Sequence, residues 1–220
     1  MRIICFLFLL LPLGFKAQDT VYSKYAGLFL SNSYGERFST SDNELSSLKD
    51  EMDSLESAIH AYSFGFICGK SLNPKLTLQG GLGFSKYGYV IDTLSTSGIV
   101  DMRFKYKYLE VPVSAVYALN ENPKFQPILS FGVFGGFLIG QKTEFDIIGS
   151  SASENFSTKE EIQKFNAGLN VSFGFQRQIE QKFKIKVEAN YRQSFTSLSD
   201  TPVGRYLYAV GLNLSLIRGF

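Results

Sequence analysis

The feature that most limits what this chain can become is its final segment, Arg205 to Phe220, in which Tyr206, Tyr208, Val210, Leu212, Leu214 and Leu216 occupy every second position. A period of two gathers those side chains on one face of an extended strand. In water such a face needs a second protein layer to cover it, whereas in a bilayer the lipid covers it. The segment ends on an aromatic residue, Phe220.

The same alternation recurs along the chain. From Lys164 to Gln176 the odd positions are Phe165, Ala167, Leu169, Val171, Phe173 and Phe175, and the even positions are polar or glycine. Phe183, Ile185, Val187, Ala189 and Tyr191 oppose Lys184, Lys186, Glu188, Asn190 and Arg192. Tyr62 to Cys68, Leu76 to Phe84 and Phe125 to Ile139 repeat the pattern, and Tyr22 to Leu30 shows it weakly. Met102 to Ala118 changes parity midway. Phe104, Tyr106 and Tyr108 alternate with Arg103, Lys105 and Lys107, after which Leu109, Val111, Val113, Ala115 and Tyr117 form the apolar row. Either the strand continues unbroken with its basic part above a membrane, or a bulge lies near Leu109. Pro112 within it argues for an edge strand or a bulge.

These segments make eight strands. The links Leu72 to Lys75, Asn120 to Lys124 and Ile179 to Lys182 are short, while Ser31 to His60, Asp92 to Asp101, Gln141 to Glu161 and Thr196 to Gly204 are long. Short turns at one end and long loops at the other suit an all-β, eight-stranded antiparallel up-and-down transmembrane barrel, its termini on the short-turn side. A soluble sandwich or lipocalin-like barrel has the same period with the apolar row turned inward. Period alone does not separate the two; aromatic-rich apolar rows and the loop rhythm favour the membrane.

At the other terminus, Arg2 precedes an apolar run from Ile3 to Phe15, followed by Lys16, Ala17, Gln18 and Asp19. The run is shorter than the roughly 20 residues a spanning helix needs. It reads as a signal peptide, residues 1–17, cut between Ala17 and Gln18 to leave a barrel domain of residues 18–220. A buried N-terminal helix is the alternative. Cleavage would remove Arg2 and Lys16, so the 22 basic residues would become 20, equal to the 20 acids. A balanced charge gives no footing for nucleic acid. Of the two cysteines only Cys68 would remain, which excludes an intramolecular disulfide and a cysteine zinc cluster.

The strand closing on Phe220 resembles the last strand of bacterial outer-membrane barrels. Lys107-Tyr108-Leu109-Glu110-Val111-Pro112 resembles the fourth-strand signature of PorT-like barrels of the Bacteroidetes type, in which an aromatic, an aliphatic, Glu, an aliphatic and Pro follow in order. Phe165-Asn166-Ala167-Gly168, with Gly174, is similar to the Gly-punctuated sixth strand of that group. The resemblance spans essentially the whole mature chain and implies an outer-membrane barrel in contact with lipid. It also implies a choice of roles: structural or surface interaction, or an accessory part in type IX secretion like that of the group's namesake. The long first loop departs from the group's shortest members.

That loop carries a helix signal. Leu45, Leu48, Met52, Leu55 and Ile59 recur at helical spacing, and Ser41 with Glu44 forms a capping-box pattern. From Asp42 to Glu56 there are six acids and one base, Lys49. The expectation is an acidic external helix that either packs on the rim or docks an extracellular partner or envelope complex. Its acids match no calcium loop.

Inside the barrel, alternation places Glu110, Asn166, Asn170, Lys186, Glu188 and Arg192 in a polar core. Burial requires the charges to pair, with Glu110 or Glu188 opposite Arg192 or Lys186. The lumen of eight strands holds little beyond side chains, so the expectation is a plug and not a solute channel. His60 is the single histidine, placed by this topology near the outer rim. One histidine among loop serines and acids is thin support for a hydrolase acting on lipid or peptide. No enzyme activity, cofactor or metal is expected.

Overall fold

Residues with alternating faces pair into a sheet only when the neighbouring strand alternates in register, and here the registers close on themselves. The computed structural model describes residues 24–40, 55–95, 98–120, 125–147, 153–156, 162–180, 182–198 and 204–220. They form β1 (Lys24–Thr40), β2 (Glu56–Ser71), β3 (Leu76–Ser95), β4 (Gly98–Ala118), β5 (Gln126–Ile147), β6 (Ser153–Phe156), β7 (Phe165–Gln178), β8 (Phe183–Ser194) and β9 (Gly204–Gly219). Eight of these pair antiparallel around a ring, and β6 is a short addition to the outer part of β5.

Closure rests on β1 and β9. Their ladder runs from Tyr25↔Gly219 to Thr40↔Gly204, and β9 pairs on its other side with β8 from Phe183↔Arg218 to Gln193↔Tyr208. The Phe220 amide donates to the Lys24 carbonyl at 2.8 Å, pinning the last residue to the first strand. Tight links hold the same end: the Leu72 amide donates to the Leu76 carbonyl at 2.8 Å, and that of Ile179 to Phe183 at 2.9 Å.

The two faces of the ring settle what the period leaves open. Outward side chains are large and apolar: Phe66 is 69% exposed, Phe137 63% and Leu212 60%. Inward positions hold Ser31, Ser63, Ser85, Ser130, Ser172, Ser215, Glu110, Lys186 and Glu188, all buried. A soluble sandwich or lipocalin has the reverse arrangement, whereas a membrane barrel turns its apolar band outward. In β4 that band runs from Leu109 to Tyr117, a length within the roughly 9–11 residues that a tilted membrane strand needs.

Four expectations change. The strands continue past the band, so Ser31 to Thr40, Asp92 to Ser95 and Gln141 to Ile147 are strand instead of loop. The segment expected as helix ends differently: Ile59 lies in β2, paired with Gly35, and Leu55 is in the turn before it. Glu56, counted among the helix acids, pairs with Arg37 inside the barrel. Ile59 pairs with β1 and Glu56 with Ile91 of β3, and marginal helices yield to such tertiary context. Leu45, Leu48 and Met52 lie outside the described residues, as do Ala17 and Gln18.

The parity change in β4 is not a bulge in that strand. Tyr106, Tyr108, Glu110, Ser114 and Val116 all face inward and are buried. The extra residue sits in β5: Lys107 pairs with Gly140 and Tyr108 with Leu138, so Ile139 is skipped. Pro112 lies within a strand paired on both sides, not at an edge. Its missing N–H coincides with an interruption in the β3 ladder between Gly80↔Val113 and Gly83↔Glu110, with Gly81 opposite the ring.

Ring closure has a covalent test. In a Cys68→Ser background, Leu30→Cys with Leu214→Cys, direct partners across β1 and β9, is expected to form a disulfide on mild oxidation. The check is mobility on a non-reducing gel, and a sheet open at this seam leaves both thiols alkylatable.

Candidate functional site

The inward side chains of β1, β3, β4, β5, β7, β8 and β9 build a layered interior. Its centre holds four charges. Arg192 Nη2 lies 2.9 Å from Glu110 Oε2, and Lys186 Nζ lies 3.0 Å from Glu188 Oε2. Ser85 Oγ donates to Glu110 Oε2 at 2.5 Å. Ser130 and Ser172 donate to Glu188 Oε1 at 2.6 and 2.9 Å. Lys186 also donates to Gln79 Oε1 at 3.0 Å, the oxygen that Tyr25 reaches with its hydroxyl at 2.8 Å. Two carboxylates and two cations leave the layer neutral, and each carboxylate receives further donors that offset its desolvation.

Packing details make room for these charges. The Arg192 guanidinium lies 4.1 Å from the centroid of the Phe134 ring, and that ring occupies the space a Cβ on Gly168 would need, 2.7 Å away. A Cβ on Gly136 would come within 2.8 Å of Glu110 Cγ. Both glycines are therefore gaps that charged or aromatic neighbours fill.

Asn170 lines the central cavity, roughly 70 Å3, together with Glu110, Lys186, Glu188, Asn190, Arg192 and Asn213. Asn166 stands apart, higher in the wall, where its Oδ1 accepts from Thr196 Oγ1 at 2.9 Å. The Lys186–Gln79 contact divides the central cavity from one of about 300 Å3 at the short-turn end, lined by Tyr25, Gln176, Lys182, Lys184 and Phe220 among others.

Above the charges lies a layer that alternation did not single out: Tyr87, Tyr89, Tyr106 and Tyr108, buried with Ala61, Leu198, Leu207 and Ala209. Tyr87 and Tyr89 follow the inward parity of β3, so a strict count through Lys86 would have found them. Higher still, Arg37 pairs with Glu56 and donates to Tyr89 OH at 2.9 Å. Ser31 to Thr40 reads as loop in the sequence, which hid this pair. His60 faces outward, exposed, with Nε2 2.6 Å from Asn32 Oδ1. Among the described residues no group of His, Cys, Asp and Glu could hold a metal ion.

A closed antiparallel ring with an apolar exterior and a neutralised polar lumen defines a small membrane-spanning β-barrel. The chain belongs to the family described as outer membrane protein beta-barrel domain, whose model matches residues 17–200, and it resides in the outer membrane. Among solved structures it is similar to neisserial surface protein A, at 14% identity over 87% of this chain and 97% of that one, TM-score 0.41. It is also similar to Ail, the attachment invasion locus protein of Yersinia pestis, at 15% identity over 87% and 98%, TM-score 0.37. The outer membrane protease OmpT of Escherichia coli matches at 9% identity over 90% and 96%, TM-score 0.39. No curated protein matches the chain.

The central pair gives an asymmetric expectation. Arg192→Ala leaves the Glu110 charge without its cation and should destabilise the barrel by about 3–5 kcal/mol, whereas Arg192→Met with Glu110→Gln should recover more than half of that loss. Urea-dependent loss of heat-modifiable gel mobility measures both.

Proposed function

We propose that this is a non-enzymatic outer-membrane barrel, without cofactor, whose role is structural or one of surface interaction. The observation that carries the reading is the filled lumen: the Glu110–Arg192 and Glu188–Lys186 pairs and the tyrosine layer above them occupy the axis. With the axis occupied, recognition falls to the parts beyond the bilayer. β3, β4 and β5, at 20, 21 and 22 residues, are about twice the roughly 9–11 residues a membrane strand needs. They form a stiff outer rim for an extracellular partner or an envelope protein complex, and the acidic first loop would add to it. The outward, Asn32-paired position of His60 supports the non-enzymatic reading. Small-solute passage and lipid hydrolysis are weaker readings for the same two reasons.

A second reading, an accessory component of the type IX secretion system, draws on the PorT-like segment Lys107 to Pro112. Within it Glu110 is buried in the central charge layer. That reading assigns the segment to a more specific group than the barrel family.

Two measurements separate these roles. In planar bilayers the purified protein is expected to give no reproducible conductance step; a stable open channel would overturn the filled-lumen reading. In a deletion strain, secreted cargo should stay at wild-type levels, and its loss would transfer the assignment to the secretion system.

A further inference from the structure

Beyond the apolar band the outward face of the barrel is not uniform. On β3, β4 and β5 it carries Lys86, Arg103, Lys105, Lys107 and Lys142, against Asp101 and Glu144. On β1 and β9 the positions beyond the band hold Glu36 and Tyr208, cross-strand partners in which the tyrosine hydroxyl donates to the carboxylate at 2.6 Å. That bond holds the Tyr208 proton, raising its pKa to about 12. On β8, Tyr191 donates to Gln193 at 2.6 Å. Among the described strands, the outward basic residues beyond the band are thus gathered in one sector.

Within the sector the charges are unevenly satisfied. Glu144 accepts from Lys105 and from Lys142, the latter at 2.9 Å, and these bonds hold its carboxyl down at about 2. Its pairs therefore form fully above the ordinary carboxylate range and are lost only as pH falls towards 2. Lys86 and Lys107 are direct cross-strand partners, and no ion pair with a carboxylate engages either among the described residues. Like charges directly opposite on a sheet are destabilising. Lys86 rests 5.4 Å from the Tyr62 ring centroid, and desolvation, with Lys105 adding to it, lowers its pKa. The next outward pair towards the membrane is Phe84↔Leu109, and Phe137 beside it is 63% exposed. Two lysines directly opposite on neighbouring strands, their Cβ atoms about 5 Å apart, can swing both flexible ammonium groups onto one phosphate, directly over an apolar surface suited to acyl chains.

We propose that the outward face of β3, β4 and β5 is a binding site for the phosphate of an outer-leaflet lipid headgroup, held between Lys86 and Lys107 with its acyl chains on Phe84, Leu109 and Phe137. Lys105 and Lys142 form its flank and are restrained by Glu144. The site follows from the outward orientation of the apolar rows and is independent of the role proposed above.

The test uses the full barrel in detergent micelles doped with diphosphorylated lipid A, with retained lipid quantified by mass spectrometry after gel filtration. Wild-type protein should retain the lipid, and Lys86→Gln with Lys107→Gln should weaken retention about thirtyfold, the factor expected for two lysines at an anionic surface. Lys86→Arg with Lys107→Arg should restore it, which excludes misfolding as the cause, and Glu144→Gln should strengthen it by freeing Lys105 and Lys142. Equal retention by wild type and the glutamine pair, or of lipid A stripped of its phosphates, overturns the proposal. Inorganic phosphate at millimolar concentration should not displace the lipid; displacement would assign the site to the free ion instead of a headgroup.

Discussion

Every backbone N–H and C=O within a bilayer must find its partner in the protein, because hydrocarbon offers none. For strands that requirement has one solution, a ring with no edge. The β1–β9 ladder meets it, joining the first described strand to the last over Tyr25↔Gly219 to Thr40↔Gly204. Everything else depends on that closure. Opened at this seam, β1 and β9 would each present a row of unpaired groups to lipid, at several kcal/mol apiece.

Closure also inverts the usual relation between core and surface. With lipid outside, the apolar rows of β2, β5, β7 and β9 need no protein cover, and the lumen takes the serines and charges. A lumen of that width is filled by side chains, and its polar groups must then satisfy one another. Glu110 Oε2 with Arg192 and Glu188 with Lys186 pair across strands distant in sequence, supported by serine hydroxyls from β3, β5 and β7, while Glu110 Oε1 and Arg192 Nε lack a hydrogen-bond partner among the described residues. The tyrosines stacked above add apolar packing where the wall leaves the membrane. The same strands carry the lipid-facing surface, the plug and the outer rim, so one alternating sequence specifies three environments by height and face.

The parts of this legible in the sequence are those where the two faces differ most in polarity. Phe183 to Arg192 opposes apolar and polar residues without exception, and its strand, parity and inward charges follow from that contrast. In Ser31 to Thr40 outward positions such as Asn32 and Glu36 are as polar as the inward serines. The period persists there but the contrast is gone, so the strand reads as loop. Ile59 fits a helical stripe as well as it fits a strand, and only its pairing with Gly35 of β1 decides between them. Phe137, Leu138 and Ile139 are apolar in succession, which conceals the residue where β5 shifts register. Pro112 contradicts a paired strand until Gly81 is seen opposite it, a fact of register that no single segment contains. The pairing of Arg37 with Glu56 was hidden for the same reason as the strands that carry them.

Which face of the wall meets lipid separates an inverted barrel from a soluble one. Spin labels placed singly at positions 62 to 68 of β2, in a Cys68→Ser background for the other sites, and reconstituted in bilayers, report this through collision with dissolved oxygen and with a water-soluble nickel chelate. Oxygen accessibility is expected to oscillate with a period of two, with maxima at Tyr62, Phe64, Phe66 and position 68 and minima at Ser63, Gly65 and Ile67. Maxima at the odd positions, or nickel contact at Phe64 and Phe66 equal to that of a soluble protein's surface, would contradict the inverted barrel.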